Sequence, residues 1–281
     1  TQITSGSLYP SWLSSKSGIV GYSKITELLG SNGENGKTEY YFSNTEETVD
    51  DFPGIPTTAN PLNGKLDSMI TYNNSGDRLK KTAYGYEVKE SNSARAIKLF
   101  TSPILQGDGN LANDINYFVR FYGNNSSWTV PVSEKDTIYD GNKIINTSKS
   151  YSYDNNTHRE RTRMEEDKSD GSLHITKYLR PADFNAAGSN AFVTKMISQH
   201  NITPIIEQQE FIQRGGTTKL LSGTFTNYKS YGTGFYKPDV IYKTEIANPI
   251  NGRSATTFQS NGQVTLDAKY KPQIYFDTYN N

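Results

Sequence analysis

The sequence predicts an all-β, antiparallel protein laid out as a ribbon of β-hairpins, with one short α-helix near residues 190–201. Three observations predict it. Apolar residues make up only 33% of the 281, low against the roughly 45–50% (glycine included) of an average domain, and the 23 glycines do not close the gap. Charged residues, at 21%, do not fill it either; Asn, Ser and Thr do, alongside 20 tyrosines. Tyr and Thr suit half-buried strands, and Asn and Gly suit the turns between them. Second, apolar and polar residues alternate in short runs, separated by turn pairs such as Asp140-Gly141 and Asp170-Gly171. Third, a single stretch has a helical period, so the βαβ rhythm of a parallel α/β fold is missing. Disorder is excluded, because it goes with few aromatics and high net charge, and this chain is 12% aromatic and formally neutral.

Taken in order, residues 1–18 are Ser-rich and aperiodic and read as an extended lead-in. Residues 19–29 alternate, with Val20, Tyr22 and Leu28 on one face; a Gly/Asn turn over 30–36 then leads to a strand at 37–44. The segment 50–64 holds three prolines and is a loop, not a central strand. A long hairpin follows over 65–91, turning at Asn74-Ser75-Gly76-Asp77, and then strands at 95–100, 115–123, 127–132, 136–141, 143–154, 157–166 and 171–179. In 189–201 the apolar residues Phe192, Val193, Met196 and Ile197 share a helical face, with Ser189 or Asn190 as cap and Asn201 and Pro204 as stop. Strands resume at 203–213, 217–231, 234–247, 254–260, 262–270 and 273–280. No composition shift divides 19–281, which reads as one region.

Composition also excludes function classes. With no cysteine, the chain has no disulfide scaffold, thiolate metal site or cysteine nucleophile. Its three histidines would all be needed for a histidine-only metal cage. Equal numbers of basic and acidic residues, 29 each, argue against nucleic acid as a partner, since phosphate recognition needs excess Lys and Arg. No apolar run approaches the ~20 residues of a membrane span. The chain does not begin with Met and has no signal-peptide pattern, so it reads as a mature form or a fragment of something longer. No cofactor is implied.

Four motifs carry chemistry on paper. Gly36-Lys37-Thr38 matches the second half of a phosphate loop, but Ser31 stands where its first glycine belongs and a strand follows instead of a helix. Arg159, Arg161 and Arg163 alternate on one face of the 157–166 strand beside His158 and Glu160; a solvated mixed-charge hairpin explains them better than a catalytic His–Glu pair. The carboxylate pairs Asp50/Asp51 and Glu165/Glu166 are sequence neighbours, which a strand points to opposite faces, so glycoside hydrolysis is the weaker reading. Trp12, Trp128 and the tyrosines could stack on sugars, yet at strand spacing tyrosine usually packs across strands. Ser68 and Thr137, in Asp67-Ser68-Met69 and Asp136-Thr137-Ile138, match a short O-glycosylation acceptor pattern of exported Bacteroidota proteins.

One segment has the form of a named repeat. In 72–86, Tyr72, Asn73, Gly76 and Leu79, followed by Tyr84 and Tyr86, match Tyr, Asp/Asn, two residues, Gly, with Asn73 in place of the preferred Asp. Shorter copies begin at Tyr139-Asp140 and Tyr153-Asp154, and 270–281 looks like the opening of another. The run 178–184 (Tyr178, Pro181, Asp183, Phe184), leading into the helix and then Pro204-Ile205-Ile206-Glu207, adds to the match. Together these resemble large secreted RHS/YD-repeat (tyrosine–aspartate repeat) surface proteins of Bacteroidota. The resemblance implies a spiral hairpin sheet of RHS-shell type and no catalytic, cofactor or metal residues. The implied role is structural: a wall segment that encloses a toxin or effector, or coats the cell, exported by the type 9 route. Implied partners are the rest of its own RHS chain, an enclosed effector domain, and secretion-system or outer-membrane proteins. The rival expectations are an adhesin, carbohydrate-binding or phage-fibre module, and an enzyme of the glycoside hydrolase kind.

Overall fold

The computed structural model describes residues 22–45, 60–105, 111–184, 191–232, 234–251, 256–259 and 261–276, and backbone alone at 96, 98, 100–105, 111–118, 120 and 122–124. The lead-in, Val20, Trp12, Asp50, Asp51, Ser189, Asn190 and the half-repeat after 276 lie outside these residues. The fold is all-β and antiparallel, with one short α-helix among the described residues. It forms two compact units, Thr1–Pro131 and Val132–Asn281. The division falls inside a strand, where composition does not change.

In the first unit, β1 (Lys24–Leu28), β2 (Lys37–Phe42), β3 (Leu66–Tyr72), β4 (Arg78–Leu105) and the first part of β5 (Leu111–Asp140) follow one another in the sheet in chain order. The separate short strands expected between 95 and 141 are instead continuous stretches of β4 and β5. One expected strand ended at Gly123 and the next began at Ser127, and β5 runs through the gap. The β1–β2 turn disposes of the phosphate-loop reading. Glu34 Oε2 and Oε1 accept the backbone N–H groups of Asn32 (2.9 Å) and Ser31 (3.2 Å), so a carboxylate of the chain itself takes these loop donors. Gly36 has φ +104°, and a Cβ there would lie 2.2 Å from the Tyr72 carbonyl oxygen, which is why glycine stands at that point.

The second unit continues with the end of β5, then β6 (Lys143–Ser152), β7 (Arg163–Asp167), β8 (Leu173–Leu179), a 3₁₀ turn (Pro181–Asp183), α1 (Phe192–Ser198), β9 (Glu207–Arg214), β10 (Thr217–Ser230) and β11 (Tyr236–Thr244). After these come β12 (Ile250–Asn251), β13 (Thr257–Phe258), β14 (Val264–Thr265) and β15 (Tyr270–Tyr275). The ladder runs β5-β6-β7-β8-β9-β10-β11-β15; β12 pairs with β10, and β13 with β14. Two expectations are corrected here. The 157–166 strand begins only at Arg163; 156–158 is a turn, Arg159 has φ +57°, and His158 is buried. The helix spans 192–198 and not 190–201. It closes at His200, whose φ of +57° lets its N–H reach the Ile197 carbonyl (3.0 Å) and the Asn201 N–H reach the Met196 carbonyl (2.9 Å), the paired bonds of a Schellman stop.

The core of this unit sits between α1 and the sheet. Ala191, Phe192, Val193 and Met196 from the helix meet Ile206, Phe225 and Tyr270, with Phe184, Tyr228, Tyr236, Tyr242 and Phe258 around them. Phe192 stacks on Tyr228 (5.8 Å) and meets Phe258 edge-on (5.4 Å). A smaller cluster of Ile175, Phe211 and Leu220 packs elsewhere in the same unit. Phe225 is fully buried, so Phe225→Ala is expected to cost about 3–5 kcal/mol, read as a drop in the urea midpoint at unchanged slope. Gly36→Ala is expected to cost about 1–3 kcal/mol in the same assay.

Candidate functional site

The repeat-like hairpin is built by its turn. Tyr72 ends β3 and Arg78 opens β4. Between them the Asn73 Oδ1 accepts the N–H groups of Ser75 (3.0 Å) and Asp77 (2.8 Å), while its Nδ2 donates to Asp77 Oδ2 (3.0 Å). Gly76, at φ +85°, completes the reversal. The amide explains the departure from aspartate at 73: an aspartate could accept the two backbone donors but could not donate to Asp77, and two carboxylates would face each other. Tyr86 donates to the Leu66 carbonyl (3.1 Å) and lies under Lys65 Nζ (5.7 Å), tying β4 to the start of β3. Tyr84 is half-buried and Leu79 is largely exposed.

The other two copies take different geometries. Tyr139 and Asp140 end β5 opposite Ile144 and Lys143, across the two-residue loop Gly141-Asn142. Tyr153 and Asp154 leave β6 for a wider connection; Asp154 Oδ2 accepts from Thr162 Oγ1 (2.9 Å), and burial raises the pKa of Tyr153. Of the two acceptor-pattern residues, Ser68 is half-buried on a strand paired on both sides, opposite Tyr41 and Ala83. Thr137 Oγ1 donates to Asn146 Oδ1 (2.9 Å).

Two polar clusters escaped the sequence reading. In the first unit, Lys37, Glu39 and Tyr41 share one face of β2, by strand alternation. Glu39 is buried, yet Lys37 Nζ (2.7 Å), Tyr41 Oη (2.6 Å), Lys24 Nζ (3.0 Å) and Tyr72 Oη (3.2 Å) all converge on its carboxylate. Lys37, then Tyr41 and Lys24, hold its pKa down to about 2. Lys24 lies over the Tyr41 ring (5.2 Å) and Lys37 over that of Tyr72 (4.8 Å), so the repeat tyrosine belongs to this network. The i, i+2 spacing of Lys37, Glu39 and Tyr41 was the available signal.

In the second unit Asp183 is a hub. Its Oδ2 accepts the Arg180 N–H (2.8 Å) and faces His158 Nε2 (3.0 Å); its Oδ1 accepts from Asn155 Nδ2 (2.7 Å). The Glu160 N–H donates to His158 Nδ1 (3.0 Å). A ring nitrogen that accepts a backbone N–H carries no proton, so the imidazole is neutral with its proton on Nε2, directed at Asp183. A His–Asp pair is the core of a base–orienter couple, but here both nitrogens are used within the fold and the imidazole is fully buried. Arg180 is equally committed, donating to the carbonyls of Thr203 (3.0 Å) and Arg161 (2.7 Å). Arg161 lies between the rings of Tyr151 (5.1 Å) and Tyr178 (5.3 Å). Burial, and then the Glu134 carboxylate, push Tyr151 up to about 12.

The polar atoms of His158, Asp183 and Arg180 are engaged within the fold, an arrangement that clamps. Glu165 and Glu166 sit side by side on β7, Glu165 paired with Arg163 and Glu166 with Lys168 (2.6 Å), and strand alternation sends them to opposite faces. Among the described residues no group of three or more His, Cys, Asp or Glu could hold a metal, and no helix is long and apolar enough to cross a membrane. A cleft of about 450 Å³ opens beside α1, lined by Phe192, Phe225, Tyr228, Tyr242, Asn227 and Gln263 among others.

No protein-family model matches the chain, and no curated protein matches it either.

The depressed Glu39 pKa stabilises the fold above the ordinary glutamate value of 4.5, and that contribution disappears as pH falls toward about 2; Glu39→Gln is expected to flatten the stability profile across this window, measured by urea melts at stepped pH. Asp183→Ala strands three donors and is expected to cost about 3 kcal/mol, with His158 imidazole resonances losing their single-environment signature by NMR.

Proposed function

We propose that the chain is a structural wall segment of a large secreted RHS/YD-repeat protein, in which successive hairpins build a shell around a toxin or effector or a coat on the cell surface. The observation that carries this reading is the Tyr72–Asn73–Gly76 turn with its amide-locked reversal. It has the strand–turn–strand form expected of such a repeat, and it sits in a sheet whose strands are added mostly in chain order. Thin burial supports it: β1 is exposed along its whole length, β3 is mostly half-exposed, and β6 has no buried residue. That is the pattern of a sheet with two solvated faces, which needs fewer apolar residues than a compact domain. Glu39, His158 and Asp183 are consumed in holding the fold together, which favours a structural role over a hydrolase.

One observation favours the binding-module alternative. The aromatic cleft beside α1 offers Tyr228 and Tyr242 rings with Asn227 and Gln263 amides, the mixture that stacks on and hydrogen-bonds a sugar. Electron microscopy of the whole gene product tests the wall reading: a hollow, strand-lined particle is expected, and a solid globule or a string of separate beads would overturn it. Glycan-array binding abolished by Tyr228→Ala would favour the alternative.

A further inference from the structure

An asparagine followed by glycine can modify itself. The glycine nitrogen, once it gives up its proton, attacks the asparagine side-chain carbonyl carbon, and glycine has no Cβ to obstruct the approach. The sequence holds five such pairs: Asn32-Gly33, Asn35-Gly36, Asn63-Gly64, Asn251-Gly252 and Asn261-Gly262. Both residues are described in all but Asn251-Gly252. The reaction needs two freedoms. The glycine N–H must not be held by a carbonyl, and the asparagine amide must be able to turn toward it. The four described pairs differ sharply in both.

Three pairs are held. The Gly64 N–H donates to the Ser43 carbonyl (2.7 Å), Gly262 to Gln259 (2.8 Å) and Gly36 to Gly33 (2.9 Å). Asn63 is fixed as well: its Oδ1 accepts the Thr45 N–H and its Nδ2 donates to the Thr45 carbonyl, both at 2.9 Å. Asn261 Oδ1 accepts the Gln263 N–H (3.0 Å) while its Nδ2 donates to Gln263 Oε1 (3.0 Å). Asn35 is exposed, but Gly36 is buried with the Tyr72 carbonyl oxygen 2.2 Å from the place of a Cβ, which keeps its backbone from turning toward Asn35. Asn32-Gly33 differs on every count. The Gly33 N–H reaches the Gly30 carbonyl only at 3.4 Å, beyond the roughly 2.7–3.2 Å of an ordinary bond. Asn32 is exposed, and among the described residues its side-chain amide makes no hydrogen bond.

We propose that Asn32 is a self-modification site, converting to aspartate and isoaspartate while Asn35, Asn63 and Asn261 stay intact in the folded chain. The Gly33 nitrogen loses its proton to hydroxide and bonds to Asn32 Cγ. The bond from Cγ to the side-chain nitrogen breaks, and ammonia leaves. Water then opens the five-membered succinimide ring. Opening at Cγ gives aspartate and restores the original chain. Opening at the α-carbonyl carbon gives isoaspartate, in which the chain runs through the side-chain carbonyl and the α-carboxylate stands free. On either route one water is consumed, one ammonia is released and no electrons change hands. The turn gains one negative charge next to Glu34, whose carboxylate already accepts the Ser31 and Asn32 N–H groups. Isoaspartate also lengthens the backbone between those N–H groups and Glu34, and so loosens the cap of the β1–β2 turn.

Peptide mapping by mass spectrometry tests this on the 281-residue chain, held for several weeks in neutral buffer. Fragmentation of the tryptic peptide Ile25–Lys37 separates Asn32 from Asn35. Amide-to-acid conversion at Asn32 should run on the order of tenfold faster than at Asn35, Asn63 or Asn261, the factor that one well-formed hydrogen bond supplies. Its rate should rise with hydroxide concentration, and an isoaspartate-specific carboxyl methyltransferase should label the aged chain and not the fresh one. Asn32→Gln should remove the labelling with an unchanged circular-dichroism spectrum, because the six-membered ring closes far more slowly. In guanidinium the chain is unfolded, and the four pairs should convert at similar rates. Conversion at any of the other three as fast as at Asn32 in the folded chain overturns the proposal. So does an intact Asn32 under conditions in which the unfolded chain converts. Neither result bears on the wall reading, which electron microscopy decides.

Discussion

A hairpin that pairs only with its neighbours in the chain must satisfy its turn from within, because no distant element arrives to cover it. Much of this molecule follows from that constraint. Backbone donors without partners cost about as much as a lost hydrogen bond, and three of the turns here answer with a side chain from their own few residues. Glu34 caps the β1–β2 loop, and Asn73 caps the β3–β4 loop from both its oxygen and its nitrogen. Asp170 does the same between β7 and β8, its carboxylate accepting the Ser172 N–H and hydroxyl, which hold its pKa near 2. The heavy use of Asn, Ser and Asp is therefore a requirement of the architecture.

The connection from β8 to β9 breaks the rule, and the larger of the two buried clusters described in the second unit is there. These strands are adjacent in the sheet, yet 27 residues separate Leu179 from Glu207. The excursion has to be anchored where it leaves the sheet, and Asp183 does this by gathering Arg180, His158 and Asn155 around the 3₁₀ turn. With the exit fixed, α1 can set Phe192, Val193 and Met196 against Phe225 and Ile206. Tyr270 closes the far side: its hydroxyl donates to the buried Glu207 (2.7 Å) across Gly223, where a Cβ would lie 2.4 Å from that hydroxyl oxygen. Polar clamp and apolar core are successive parts of one device.

This division explains what could be read in advance. Local features were legible: the β1–β2 and β3–β4 hairpins, the turn at Gly141, and the helical face of 192–197 all depend on residues a few positions apart. The Asp183 hub was not, because His158 and Asn155 stand 25 and 28 residues before it and charged runs give the same pattern whether solvated or buried. The 157–166 segment looked like a strand because its charges alternate; His158 is instead drawn into the interior by Asp183, which bends the backbone at Arg159. Glu39 was hidden for a different reason. A carboxylate two residues from a lysine on a strand reads as a surface ion pair, and only the sheet brings Lys24 and Tyr72 onto the same carboxylate. Strand lengths were misjudged where the polar gap 124–126, after Gly123, was given the weight of a break that one neighbouring strand can override.

The two outer strands show what the same economy costs at an edge. On β15, Pro272 offers no N–H, and Lys271 stands directly opposite Lys243 of β11, a like-charge pair that lowers the stability of its own sheet. Proline and lysine on an edge discourage another strand from adding there, so this edge gives up some pairing energy to stay unpaired. β1 is organised the other way. Its two charges are turned back onto β2, Lys24 to Glu39 and Glu27 to the Tyr40 hydroxyl (2.9 Å), and its apolar residues Ile25 and Leu28 stay exposed. Side chains that would guard the outer backbone are thus occupied in holding β1 to its neighbour. Among the described residues, the two end strands of the sheet thus differ: β15 carries proline and lysine that discourage pairing, and β1 turns its charges inward.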